Sequence, residues 1–274
     1  MSMNPMANGV RFRCPHCGLP LDEAERTWSC PSGHQFDRAR EGYVNLLPGG
    51  RLPGGVSGDS DEMVRARREV FDAGCYEPII AAVAGAVQRL GAASVLDAGC
   101  GEGTYLARAC AAGADGCGID VSKAAVRRAA RRHGQQRWAV ASSYRLPFAD
   151  GVFDVVISVF SPRPWAEFRR VLAPGGAAVV VTPGPGHLRG LAEMLYAEAR
   201  PHEQDADAPP ADSVERVSFT VDLHSPALRR SLLEMTPYWW SATPELRERV
   251  ERDLRSLQAD MVLTVVRRAD LTAQ

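Results

Sequence analysis

A chain of 274 residues, 45% hydrophobic and 24% charged, is long enough to bury one substantial core with a small appendage and reads as a soluble globular protein. A formal net charge of -1 and a pI near 6.6 argue against a globally basic nucleic-acid binder, although a local basic patch averages out in that sum. The opening MSMNPMANGVRF carries neither a basic start nor an apolar run, and no later stretch reaches the ~18 apolar residues of a membrane helix, so the sequence places the protein in the cytoplasm with no membrane partner.

The first feature in the chain is CPHCGLPLDEAERTWSCPSGH, residues 14–34. Seven cysteines is an odd count, and a disulfide framework would be reduced in the cytosol. Cys14 and Cys17 are spaced C-x2-C, Cys30 and His34 C-x3-H, and the pairs are separated by 12 residues. Two knuckle-like turns of this kind, shaped by Pro15, Gly18, Pro31 and Gly33, each present two soft ligands to one tetrahedral zinc. Four protein ligands leave no open position, so the expected metal is structural. His16 lies between the first two cysteines and is a poor fourth ligand, while Cys75, Cys100, Cys110 and Cys117 read as small apolar residues. The small domain is expected over residues 1–50, its core too small without the metal, followed by a glycine-rich linker over 51–61.

From residue 62 to 274 the pattern alternates helix and strand, which predicts a parallel α/β sheet covered on both faces. Helices are expected at 62–73 and 77–90, and a first strand at 94–99. That strand runs into D-A-G-C-G-E-G, Asp97 to Gly103, and then a helix, the strand-turn-helix geometry at which open α/β folds bind ligands. A glycine-rich turn alone also suits a dinucleotide. Here the glycines follow G-x-G-x-G, Asp97 precedes them where a carboxylate suits a cationic amino-acid group, and Asp120 ends the next strand where an acid accepts both ribose hydroxyls. With AVASSYRLPFADGVFDVVISVF and RVLAPGGAAVVVTP after it, this block, residues 94–183, resembles the class I S-adenosylmethionine-dependent methyltransferases. The expected fold is therefore α/β, a Rossmann-like class I methyltransferase sheet with a small N-terminal zinc-binding domain.

Joined together, the finger, HQFDRAREGYVNLLP, GDSDEMVRARREVFDAGCYEP, VLDAGCGEGTY, GIDVSKAA, VASSYRLPF, TPGPGHL and MTPYWW resemble the RlmA family in order and across nearly the whole chain. The resemblance implies S-adenosylmethionine and Zn2+ as cofactors, and methylation of N1 of a guanine in a 23S ribosomal RNA hairpin loop near the macrolide-lined exit tunnel. One branch of that family confers tylosin resistance, and the arginine- and alanine-rich composition leans toward it. On this resemblance Gly99, Gly101, Glu102, Gly103 and Thr104 line the methionine part of the cofactor, Asp97 meets its ammonium, Asp120 its ribose, and Ser142 and Ser143 its adenine. Tyr76 and His187 occupy the positions of a tyrosine and a histidine that touch the cofactor in that family.

Guanine N1 carries a proton at neutral pH that must leave before or during transfer. VFSPRP, residues 159–164, stands where exocyclic-amino methyltransferases carry N/D-P-P-Y, which fits a ring-nitrogen target without identifying a base; Asp154 reads as structural and Ser161 as a poor base. Phe160, Trp165, Tyr238, Trp239 and Trp240 are candidates for stacking the extruded base. For the RNA backbone, Arg65, Arg67 and Arg68 are favoured, Arg127, Arg128, Arg131 and Arg132 read as a solvated helix face, and Arg11, Arg13, Arg26, Arg38 and Arg40 would grip the hairpin from the finger. Downstream, the pattern predicts an amphipathic helix from His187, a polar loop, a strand at SFTVDL, a helix capped by Ser225, a helix from Pro244 to Leu257 and a final strand at DMVLTVVRR, consistent with an antiparallel final pair. Two rivals stay open: a methyltransferase of a small molecule or protein, and a noncatalytic ribosome-binding protein. Beside the RNA, a second copy of the chain paired through the finger is the other partner this reading admits.

Overall fold

The computed structural model describes residues 9–48, 58–195, 208–236, 239 and 242–271. Three short strands, β1 (Asp22–Glu23), β2 (Thr27–Ser29) and β3 (Gln35–Asp37), form an antiparallel ribbon. The next eight, β4 (Tyr43–Asn45), β5 (Ser94–Ala98), β6 (Asp115–Asp120), β7 (Arg137–Val140), β8 (Phe153–Val159), β9 (Leu172–Pro183), β10 (Ser213–Asp222) and β11 (Ser256–Arg267), build one sheet in the order β10-β11-β9-β8-β5-β6-β7-β4. Pairs from β4 to β9 are parallel, and β11 runs antiparallel to both β9 and β10. Strand order reverses at β5, between β6 and β8, which opens a crevice at the carboxyl ends of these strands.

Successive residues of the central strands face opposite sides. Val95, Val155, Ile157 and Val179 join one core with α2 (Glu77–Arg89), α3 (Thr104–Ala109) and α4 (Lys123–Arg132), through Ile79, Val83, Leu106, Val126 and Ala129. Leu96, Val156, Ala178 and Val180 join a second core with α5 (Trp165–Val171), through Phe168, and with the ribbon, through Phe12, Leu21 and Trp28. Between β7 and β8 the described chain makes only a 3-10 turn, Ser143–Arg145, so the ribbon supplies much of the apolar cover on that face. Strand β4, not expected from the sequence, extends the main sheet as an edge: Tyr43, Val44 and Asn45 pair with Trp138, Ala139 and Val140. A buried ion pair adds to this junction. Arg137 on β7 holds both oxygens of Glu23 on β1, at 2.7 and 2.9 Å, and donates to the Val10 carbonyl at 2.8 Å.

Helix boundaries follow local chemistry. In α1 (Asp61–Asp72), α4, α7 (Pro226–Glu234) and α8 (Pro244–Asp253) the first turn is capped by the hydroxyls of Ser60, Ser122, Ser225 and Thr243, each accepting a backbone N–H three residues on. Helix α8 ends at Asp253 rather than at Leu257, because Leu254 turns extended and β11 begins at Ser256 opposite Asp222, burying Leu254 and Leu257. Of the helix expected from His187, α6 (Arg189–Leu195) is seen, and the expected segment after Leu195 lies outside the described residues. Among the described residues no single helix is long and apolar enough to cross a membrane.

Candidate functional site

A cleft of ≈ 570 Å³ opens at the carboxyl ends of β5, β6, β8 and β9, where the strand order reverses. Of the sequence-predicted cofactor residues, Tyr76, Gly99, Gly101, Glu102, Thr104, Asp120, Ser142, Ser143 and His187 line it. Asp97 and Gly103 lie beside the turn without lining the cleft, and each does something specific there.

The glycine turn approaches its surroundings too closely for side chains. Gly99 has φ 91° and a Cβ there would stand 2.0 Å from Ser161 Oγ. Gly103 has φ 88° and faces away from the cleft, where a Cβ would meet the Trp138 ring at 2.6 Å; it sets the packing of α3 against β7. Asp120 fixes the turn, accepting from Gly101 N–H at 2.9 Å and from Ser122 N–H at 2.8 Å with one oxygen each, which leaves lone pairs for two further donors. Burial pushes its carboxyl above the ordinary range. Asp97 is 1% exposed, its Oδ2 has no hydrogen-bond partner, and burial, reinforced by the Asp120 charge, pushes it up to about 8. A buried carboxylate with one oxygen left unpartnered beside an open cleft is the feature a cationic ligand group would complete.

Glu102 is buried and ion-paired to Arg68 at 3.0 Å, with Thr104 Oγ1 on its other oxygen. Arg68 also grips Asp72, and its side chain is 14% exposed. It is thus anchored beneath the glycine turn. Arg67 pairs with Asp59 and lines the cleft, while Arg65 is half-exposed and paired with Glu69 and Glu234. The chain before α1 also reaches the site: Asp59 O accepts from Ser122 Oγ at 2.7 Å, bringing Gly58 and Asp59 to the cleft wall. No motif in the sequence marked Asp59, Met63, Phe71, Tyr144 or Leu188 as lining residues.

On the far wall, the loop after β9 wraps Asp260 of β11. That carboxylate accepts from Arg216 at 2.6 and 2.8 Å and from Gly186 N–H at 2.8 Å, and the Asp260 N–H donates to His187 Nδ1 at 3.3 Å. Asp154 accepts from the backbone of Ala93 and Ser94 and from the Ser94 hydroxyl, each at 2.9 Å, and so acts structurally. The five candidate stacking aromatics separate by burial. Phe160 is 44% exposed in the cleft, Trp165 packs edge-on to Phe168 under the opposite sheet face, and Trp239 is buried beneath Arg230 and Arg247; Tyr238 and Trp240 lie outside the described residues.

In the ribbon, Cys14, Cys17, Cys30 and His34 present ligand atoms that all lie within 4.8 Å of one another, a spacing suited to one tetrahedral zinc. Cys30 Sγ stands 3.3 Å and Cys14 Sγ 3.5 Å from His34 Nδ1. The Leu19 N–H lowers the Cys17 thiol to about 6, which favours the thiolate a metal requires. His16 instead stacks on Phe36 with ring centroids 5.9 Å apart. Cys100, Cys110 and Cys117 are buried.

Comparison with known proteins agrees with both halves. The family described as RlmA, N-terminal, matches residues 12–51, and the family described as Methyltransferase domain matches residues 95–176. A 23S rRNA (guanine(748)-N(1))-methyltransferase of Streptomyces fradiae is 41% identical over 253 residues, covering 87% of this chain and 89% of the relative. A Micromonospora griseorubida protein, named as a candidate 23S rRNA (guanine-N1)-methyltransferase, is 45% identical over 207 residues, 67% of this chain and 69% of its own. Among solved structures, a geranyl diphosphate methyltransferase in complex with SAM aligns at TM-score 0.45 and 21% identity, covering 78% of this chain and 93% of that one.

Proposed function

The chain belongs to the RlmA-type family of 23S rRNA (guanine-N1)-methyltransferases, and from this premise we propose that it transfers a methyl group from S-adenosylmethionine to N1 of a hairpin-loop guanine in 23S ribosomal RNA, in the cytoplasm where that RNA is assembled. The observation that carries the reading is the joining of a complete four-ligand ribbon to the sheet that holds the glycine-turn cleft. Cys14, Cys17, Cys30 and His34 hold zinc as a structural ion. The cofactor, when bound, supplies an electrophilic methyl on a sulfonium.

Everything else falls to the chain. Gly99 and Gly101 admit the cofactor's methionine end, Asp97 offers its unpartnered oxygen to the ammonium, and Asp120 accepts from the ribose. The carboxylates lining the cleft are all engaged: Asp59 by Arg67, Glu102 by Arg68 and Thr104, Asp120 by two backbone amides. The main contribution of these residues is alignment of N1 with the methyl group.

For the RNA backbone, the ribbon and the cleft rim meet where Arg13 N–H donates to the Pro147 carbonyl at 2.7 Å. Arg13 and, two residues before that carbonyl, exposed Arg145 carry no ion pair to a described carboxylate, unlike Arg65, Arg67 and Arg68. Replacing both by glutamine is expected to weaken hairpin binding and to reduce the slope of log affinity against log salt by about 1 to 2, one phosphate contact per side chain, with cofactor affinity unchanged. An unchanged slope would move the RNA track back to Arg65 and Arg67.

The reaction itself is tested by incubating the protein with S-adenosylmethionine and unmodified 23S hairpin RNA, then mapping the product by nuclease digestion and mass spectrometry. N1-methylguanosine at one loop position is the expected product, and unmodified RNA beside normal cofactor binding would assign the cleft another substrate. Protection against tylosin is the expected phenotype of that product and is read separately as the growth-inhibiting concentration in a sensitive host.

A further inference from the structure

The described residues leave four large hydrophobic side chains exposed, Leu19, Tyr144, Phe160 and Val214, and two of them, Tyr144 and Phe160, line the cleft. Phe160 is the more demanding of the two. It follows Val159 at the carboxyl end of β8 with φ 50°, a left-handed conformation that a bulky residue adopts only at a cost of about 1–3 kcal/mol. The backbone is held there: Phe160 N–H donates to the Val181 carbonyl at 3.0 Å, and the next residue, Ser161, is pressed against Gly99. An apolar ring is therefore held 44% exposed by a strained backbone, next to the turn at the methionine end of the expected cofactor.

Core packing does not require this arrangement. Tyr76, Tyr105 and Leu188, which also line the cleft, are buried, and Met63 and Phe71 of α1 contribute to its cover. The His187 ring lies 5.4 Å from Phe160 at 32° and supports one side, leaving the phenyl ring open to the mouth. A guanine cannot present N1 for transfer while it is paired and stacked in RNA, and a base that leaves its stack is held by replacing that stack with an aromatic face.

We propose that Phe160 is the platform on which the target guanine stacks during transfer, a substrate-contacting residue that sets N1 against the methyl group. The proposal rests on the RNA reading above and selects Phe160 over Trp165 and Trp239, the other described candidates, by burial and backbone geometry. It needs flatness and no charge at this position, which is what separates the variants.

The test compares Phe160→Ala, Phe160→Leu and Phe160→Tyr for S-adenosylmethionine affinity by calorimetry and for kcat/KM on the 23S hairpin. Phe160→Ala is expected to lower kcat/KM for RNA by on the order of 10- to 100-fold, the size of one lost base-aromatic stack, while cofactor affinity stays within about twofold. Phe160→Leu keeps the apolar bulk and should share most of the loss; Phe160→Tyr keeps the plane and should recover most of the rate. Cofactor affinity falling in step with the rate would make Phe160 a wall of the cofactor site and overturn the proposal, as would a leucine variant as active as the wild type. An unmutated protein that binds cofactor yet leaves the RNA unmethylated overturns the functional reading and this proposal with it, so the two failures are distinguishable.

Discussion

Metal-stripped protein is expected to lose cofactor affinity as well as ribbon structure. Strands of two or three residues do not hold themselves together, and in such ribbons the free energy of zinc binding, ~10–16 kcal/mol, is largely the free energy of folding. Without the metal, Phe12, Leu21 and Trp28 leave the sheet face that they cover. The consequence reaches the cleft because the ribbon grips the segment after β7. Arg13 N–H holds the Pro147 carbonyl at 2.7 Å, Phe12 packs on Phe148 at 4.6 Å, and Leu46 N–H donates to the Val140 carbonyl at 2.9 Å, immediately before the lining residues Ala141, Ser142 and Ser143. A strong chelator at neutral pH should lower the melting temperature by more than about 10 °C and weaken S-adenosylmethionine binding by on the order of tenfold. An unaltered binding isotherm in zinc-free protein would show that ribbon and cleft are uncoupled. Glu23→Gln separates the strut from the metal: zinc content should stay full while stability falls by about 3–5 kcal/mol, since Arg137 keeps a buried charge without its partner.

That coupling was the part of the fold least visible in the sequence. Local patterns carried their own information: C-x2-C with C-x3-H brought four ligands together, and strand followed by closely spaced glycines placed a cleft at the end of β5. Strand β4 is three residues long, and its identity depends on pairing with Trp138, Ala139 and Val140 almost a hundred positions away, which no local periodicity records. Arg137 and Glu23 are likewise 114 residues apart. The arginines of α1 looked alike as charges, yet Arg68 is drawn inward by Glu102 and Asp72 while Arg65 stays half in solvent. Aromatic candidates were equivalent in the same way: Trp165 and Trp239 found partners in the interior, and Phe160 was left exposed by the turn that follows β8. Long-range partners decide these cases, and those partners are properties of the assembled sheet.

Cofactor binding at pH 7 is expected to expel close to one proton, and the source is Asp97. Its carboxyl, buried and with Oδ2 unpartnered, is pushed up to about 8, so the ligand-free protein holds it mostly protonated at neutrality. An ammonium placed beside it favours the carboxylate, drops the group below neutrality and releases the proton. The sign for stability is the reverse of the usual acidic residue. Because the folded group sits above the ~3.9 of an unfolded aspartate, its contribution to the ligand-free fold is complete below about pH 4 and is lost as pH rises through about 8, a change on the order of 5 kcal/mol. Melting of the ligand-free protein should therefore fall across pH 5 to 9, and saturating cofactor should flatten that slope. Calorimetry at pH 7 in buffers of different ionisation heat reads the proton directly. Asp97→Asn removes the titration: the ligand-free variant should melt higher than wild type at pH 8, release no proton and bind cofactor on the order of 100-fold more weakly, the worth of a close ion pair in a dry site. Retained affinity in Asp97→Asn, or a binding heat independent of buffer, would mean that the ammonium finds its counter-charge elsewhere and that Asp97 serves only to shape the turn beneath it.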